Sequence, residues 1–469
     1  MQTATTKRVI EWLAQRSTPI YLVGGWVRDR LLGRSTHDLD LAVEGDGLDL
    51  ARRLANRFGG AYYPLDVQRN TGRAILTGED GRELVVDVAR LRGATLADDL
   101  AARDFTINAL AADVRSPDQV IDLYGGMADL RDRLLRPVSE TCIRDDPLRA
   151  LRAVRQAAEL GFTLTAEAET LIRRDGAALA RVAGERVRDE FIRLLALPHA
   201  APWLHRLDEL GLLTVVLPEL EPLRNLEQPP PHFLPVLAHT LETVRALEDL
   251  AERFPLPRFA GRLEEHLNRE MGNGRPRSAI LKLAALLHDS GKAAARTVEN
   301  GRIRFIGHER IGVRLTGRAL RRLCLSRTEV RLGETIVRHH MRPLLLANQE
   351  VVSARAIYRF FRDSGEAGVD VLLHALADHR ATFPPHDPGD RRERLLALVE
   401  RMLTDYYEHP TRKISPPPLL NGHDLMRRFG LQPGPTIGEL LEAVREAQVG
   451  GEVSNREEAL ALVRAILAQ

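Results

Sequence analysis

Gly24-Gly25-Trp26-Val27-Arg28-Asp29, with Asp38-Leu39-Asp40 after it, is the stretch that decides how the first part of this chain folds. The short β-rich run Pro19-Ile-Tyr-Leu-Val23 precedes the paired glycines, and Trp26, Val27, Leu31 and Leu32 follow at helical spacing. Strand, tight turn and helix are therefore predicted. Glycines at such a turn lack Cβ atoms, so backbone N–H groups can approach a phosphate at the helix N-terminus. Arg28, one turn inside, can reach the same phosphates. Asp38 and Asp40 alternate with Leu39 and Leu41–Val43 on a second strand, which puts both carboxylates on one face. Paired hard oxygen donors suit Mg²⁺, and two such ions can activate a hydroxyl and neutralise a leaving pyrophosphate.

Ile75–Thr77 and Leu84–Ala89 read as further strands joined through Glu79-Asp-Gly81 as a hairpin. Asp87 on the second of these is either a third metal-side carboxylate or a satisfied strand-end residue. Thr106–Val114 fits a strand or a helix. From about residue 145 the spacing turns helical, through Leu148–Leu160, Ala166–Asp175, Gly184–Leu195 and His205–Leu212. Glu227-Gln-Pro-Pro-Pro231 reads as a stiff linker, and Pro416–Pro418 precedes a small C-terminal helical module. The expected fold class is α+β. A small α/β head spans 1–136, a helical neck and body 137–228, a histidine-bearing helical domain 232–405 and a tail 416–469.

Lys and Arg number 67 against 65 Asp and Glu, a formal charge of +2 over 469 residues. A nucleic-acid surface, if present, must then be local. The two cysteines, Cys142 and Cys324, are far apart, which excludes a disulfide framework and fits a reducing cytoplasm. The opening MQTATTKRVIEWLAQRS reads as an amphipathic helix, and no run approaches the ~20 apolar residues that span a bilayer.

The Gly24–Asp29 and Asp38–Asp40 pair resembles the bacterial-type (class II) tRNA nucleotidyltransferase and poly(A) polymerase family. More of the chain resembles it in the same order. Arg103-Asp104-Phe105-Thr106-Ile107-Asn108-Ala109 is similar to the family's ribose-reading motif, and Asp122-Leu123-Tyr124-Gly125-Gly126 to the flexible element after it. Asp145-Asp146-Pro147-Leu148-Arg149 is similar to the base-selecting motif, with Asp145 in place of the usual Glu, and Gly184–Glu190 to the helical motif that follows. The resemblance implies a polymerase-β-like nucleotidyltransferase head that uses Mg²⁺ on Asp38 and Asp40. CTP or ATP would be held by Gly24, Gly25, Arg28, Arg103, Asp104, Asn108, Asp145, Asp146, Arg149 and Arg152, and the acceptor would be the 3′ end of tRNA. Asp146 and Arg149, three apart on a helix, would share a face and read the base edge. Family members that add all of C-C-A carry an extended loop before the ribose motif. Here Asp87–Arg103 is short, which resembles members that add only C-C and leave the last A to a separate enzyme. Rival readings are a poly(A) polymerase of the same family and a phosphohydrolase whose head merely binds nucleotide.

In the second half, His239, His288-Asp289 and Asp378 stand in the order of an HD-domain metal site, with His288 and Asp289 ending the apolar helix Ile280–Leu287. His308 and the pair His339-His340 resemble the extra ligands of two-metal HD phosphohydrolases. Imidazole and carboxylate together suit Mn, Fe, Ni or Mg. In the tail, Arg427, Arg428, Gly434 and Gly438 can meet tRNA phosphates, or form a solvated helix and loop.

Overall fold

The structure, a computed structural model, describes residues 4–36, 38–78, 81–383 and 390–468. The chain divides into two compact units, Met1–Glu190 with Arg206–Val216, and Phe191–His205 with Leu217–Gln469.

The first unit is built on a seven-stranded sheet. Its strands are β1 (Ile20–Val23), β2 (Asp38–Val43), β3 (Ala61–Asp66), β4 (Thr71–Thr77), β5 (Glu83–Arg90), β6 (Leu110–Asp113) and β7 (Val120–Asp122), in the order β3-β4-β5-β2-β1-β6-β7. β2 and β5 are parallel, and the other neighbouring pairs are antiparallel. Alternation sorts the side chains cleanly. Leu39, Leu41, Val86, Val88, Ala74 and Leu76 are buried, and the helix Gly47–Phe58 buries Leu50, Ala51 and Leu54 in the same unit. Asp38, Asp40, Asp87 and Arg73 fall on the opposite face. The register sets Asp40 beside Asp87, and Asp87 beside Arg73.

β4 and β5 pair antiparallel as the hairpin reading expects, although its turn residues Glu79 and Asp80 lie outside the described residues. The undecided segment resolves into a short 3₁₀ turn, Thr106–Asn108, followed by β6. β3 and the helix Gly47–Phe58 are additions to the sequence reading. β3 carries Pro64 and sits at the sheet edge, where a missing N–H breaks no ladder. The helices Leu148–Leu160 and Ala166–Asp175 are as read. The one expected at His205–Leu212 instead runs Ala201–Glu209, because Gly211 turns left-handed at φ 75°.

The second unit is helical. Val236–Glu252, Arg277–Leu287, His308–Arg322, Arg327–His339 and Ala367–Thr382 pack against one another around a buried histidine cluster. The proline run is not merely a spacer, since Gln228, Pro229 and Pro231 line a cavity of about 810 Å³ beside that cluster. The helices Gly422–Phe429, Pro435–Gly450 and Arg456–Leu467 share a small core of Leu425, Leu440, Val444, Ala459 and Val463. No helix among the described residues is long and apolar enough to cross a membrane.

Candidate active site and metal centre

Gly24 caps the helix Gly25–Leu31 at φ 67°, a conformation that favours a residue without Cβ. Space demands it as well. A Cβ there would stand 2.9 Å from Arg103 Nη1 and 3.3 Å from Asp40 Oδ2. The turn, the carboxylate and the ribose-motif arginine thus meet at one point. Asp38 is exposed at the start of β2, and Asp40 lies deeper on the same face. Burial, with the Asp87 carboxylate beside it, pushes the Asp40 acid up to about 6. Asp87 is gripped at both oxygens by Arg73 (Nε–Oδ1 2.7 Å, Nη2–Oδ2 2.8 Å). Crowded negative charge on hard oxygen donors is what a divalent cation relieves, so the residues fit Mg²⁺.

Around this centre runs a continuous polar network. Arg28 donates to Asp29 at both oxygens and to Asn108 Oδ1 at 2.7 Å. Asn108 Nδ2 donates to Asp104 Oδ1 and to Gln156 Oε1, each at 2.9 Å. Asp104 is buried, yet its carboxyl is held below the ordinary carboxylate value. Burial pushes it up, and the Arg152 guanidinium (Nε–Oδ2 2.8 Å) with the Asn108 and Phe105 N–H bonds outweighs that. Arg103 is braced from the preceding turn by Asp99 at 2.9 Å. The short Asp87–Arg103 connection is itself ordered. It forms the helix Leu96–Ala101, whose capping box joins Thr95 and Asp98.

The expectation that Asp146 and Arg149 share a helical face is not met. Asp146 is extended (φ −145°, ψ 99°) and lies before the helix Leu148–Leu160, which begins after Pro147. Its carboxylate accepts from Arg186 Nη2 at 2.7 Å and from the Leu148 N–H at 3.2 Å. Arg149 turns to backbone, donating to the carbonyls of Ala102 (2.7 Å) and Arg103 (3.2 Å). Asp145 is exposed and accepts from Thr141 Oγ1. The 145–149 segment therefore buttresses residues 102–103 through Arg149, while the Asp145 and Asp146 carboxylates bond to Thr141 and Arg186.

In the second unit the ordered histidines converge. His239, His288 and Asp378 offer ligand atoms to one point, and Asp289, His308 and His340 to another. Asp289 joins the two, with Oδ2 3.1 Å from His288 Nε2 and Oδ1 3.4 Å from His308 Nε2. His288, His308 and His340 each donate Nδ1–H to the carbonyl three residues back (Ala285, Phe305 and Val337, at 2.8, 2.9 and 2.7 Å). In the neutral imidazole, that leaves Nε2 as the lone-pair nitrogen of all three. With both imidazoles neutral, His308 Nε2 and His340 Nε2 face each other at 3.2 Å with two lone pairs. Such a pair wants a cation, so the residues fit a metal. Burial pushes the His340 imidazole down to about 3, which keeps it neutral and ligating.

His339, expected beside His340, is not brought to the cluster. One residue along a helix turns by about 100°, and His339 sits half-buried near Arg342, away from both ligand groups. His374 is the residue the sequence reading missed. Its fully buried ring lies 4.7 Å from that of His288 and 5.8 Å from that of His340. The signal was available, since His374 precedes Asp378 by one helical turn and shares its face.

The Poly A polymerase head domain model matches residues 20–136, the HD domain model 236–405 and the tRNA nucleotidyltransferase domain 2 model 397–463. The A-adding tRNA nucleotidyltransferase of Deinococcus radiodurans is 38% identical over 450 residues, covering 94% of each chain. The chain belongs to the tRNA nucleotidyltransferase family. The CC-adding member from Geobacter sulfurreducens is 35% identical over 94% of this chain and 90% of its own. Among solved structures, a CCA-adding enzyme in complex with CTP superposes with a TM-score of 0.67 at 22% identity, over 100% of this chain and 97% of that one. That likeness is one of fold. The family is one of enzymes with a polymerase-type head, and this chain carries the HD domain on the same polypeptide.

Proposed function

We propose that this enzyme adds nucleotides from CTP or ATP to the 3′ end of tRNA without a template. The observation that carries the reading is the meeting of Asp40, the Gly24 turn and Arg103 at one point on the head. Asp38 and Asp40 would hold Mg²⁺, which when bound activates the terminal 3′-hydroxyl and offsets charge on the pyrophosphate. The chain's own groups do the rest. The Gly24-Gly25 turn and Arg28 receive the triphosphate, and Arg103 with the Asp104–Asn108 pair orients the ribose. Arg149 and Arg152 brace that motif, and Asp145 and Asp146 would help select the base. Two cysteines without metal spacing suit a reducing cytoplasm.

The product reading is C-C addition, with a separate enzyme supplying the final A. Its support is the short Asp87–Arg103 connection, folded into a capped helix. A second reading, addition of A alone, is favoured by the identity to the Deinococcus radiodurans relative. Trimmed tRNA incubated with CTP alone, ATP alone and both together decides. Two C residues and no A support the first reading, A on tRNA already ending in C-C supports the second, and long ATP-only tails would mean a poly(A) polymerase.

The HD cluster is proposed to bind Mn, Fe, Ni or Mg and to hydrolyse a phosphoester, supported by two ligand groups, the second of which holds an Asp289 that also approaches His288 of the first. A metal bound there supplies an activated water. Asp289→Ala should remove that hydrolysis and leave nucleotide addition, and Asp40→Ala should do the reverse.

A further inference from the structure

The chain is nearly neutral in total, yet one face of the second unit is strongly basic. Along the helix His308–Arg322, Arg310, Arg314, Arg318 and Arg321 project within about an 80° arc, spaced about 6 Å apart along most of the axis. The next helix, Arg327–His339, presents Arg327, Arg331 and Arg338 within about 40°. All seven are exposed. The helices pack at close range, since a Cβ on Gly333 would stand 2.6 Å from Leu320 Cδ1. The two stripes adjoin, because Glu334 between them accepts from Arg321 at 2.7 Å. Among the described residues the other six arginines make no ion pair.

Like charges at i,i+4 (310/314, 314/318 and 327/331) repel one another along each helix. The face therefore favours a linear polyanion. No large hydrophobic side chain is exposed between residues 308 and 340, so nothing there would enter a bilayer. The stripes also lead somewhere. His308 opens the first helix and His340 directly follows the second, so Arg310 and Arg338 stand at the end that carries the HD ligands.

We propose that this two-helix arginine face binds the phosphate backbone of an RNA strand and brings it to the HD cluster. The inference rests on RNA being the enzyme's macromolecular substrate. It adds a binding surface outside the nucleotidyltransferase head.

The test is the full-length triple variant Arg314→Gln, Arg318→Gln, Arg331→Gln, with fluorescence anisotropy of a labelled tRNA transcript lacking its 3′ end, between about 50 and 200 mM salt. Expected are about tenfold weaker binding at low salt and a log–log salt slope shallower by about 2–3, at roughly 0.7–0.9 per lost phosphate contact. The RNA KM for CTP incorporation rises while kcat at saturating RNA holds, and the matching triple Lys variant restores binding. If the triple Gln variant does not fold, Arg318→Gln alone should still lower the slope by about 0.7–0.9. Unchanged affinity and slope would overturn the proposal. So would weakened capture of anionic vesicles or an acidic peptide with RNA binding intact. A wild-type enzyme that binds the transcript but incorporates no nucleotide would refute the proposed activity and leave this surface standing.

Discussion

At the scale of single residues, Asp40 carries the most information. Its acid is pushed up to about 6, first by burial and then by Asp87. A folded value above the unfolded one means the native state binds more protons between about pH 4 and 6. Stability from this group is therefore present at low pH and lost as pH rises through 6. Asp40→Asn removes that loss. The metal-free variant should gain on the order of 3 kcal/mol over the parent at pH 7.5 and nothing near pH 3.5, read from urea midpoints at each pH. It should also abolish nucleotide addition. Asn108 argues the complementary case, since its amide satisfies both Asp104 and Gln156 inside the protein. Asn108→Ala strands the Gln156 oxygen and leaves Asp104 held by Arg152 and the Phe105 N–H alone, and should cost about 1–3 kcal/mol, with a raised KM for the triphosphate. A variant as stable as the parent would show the network to be incidental. The Asp38/Asp40 pair was legible because strand alternation is a strict period of two. The partners of Asp146 and Arg149 were not, because a helix start at Leu148 rather than two residues earlier breaks the i,i+3 geometry.

At the scale of elements, close approach decides more than propensity. Gly291 follows the His288-Asp289 pair, and a Cβ on it would stand 2.1 Å from the His308 carbonyl oxygen and 2.7 Å from the Gly312 nitrogen. Both are backbone atoms of the helix that presents His308. Gly291→Ala must push that helix away from Asp289. The expected result is a loss of about 1–3 kcal/mol of stability, together with weaker binding of Mn²⁺ measured by calorimetry. Retained Mn²⁺ affinity would mean that the helix start yields without moving its histidine. The glycine was visible in the sequence, but its reason was not. Only the packed helices reveal which backbone it abuts. His374 is the opposite case: a helical period read backwards from Asp378 points straight at it.

At the scale of the whole molecule, two sites with different donor chemistry lie in two compact units. The head offers carboxylate oxygens alone, whereas the histidine cluster offers four imidazoles and two carboxylates. Hard Mg²⁺ prefers the first set and Mn²⁺, Fe²⁺ or Ni²⁺ the second. Any ion that binds only the folded state raises stability by RT ln(1 + [L]/Kd), about 2.7 kcal/mol at a hundredfold excess over Kd. The two responses should therefore separate by genetics. In thermal scans of chelator-treated protein, added Ni²⁺ should raise the melting temperature of the parent and of Asp40→Asn, but not of His340→Ala. Mg²⁺ with a non-hydrolysable CTP analogue should raise it for the parent and His340→Ala, but not for Asp40→Asn. A Ni²⁺ response that survives His340→Ala and disappears in Asp40→Asn would place the transition metal in the head, and the division of labour between the two units would be wrong.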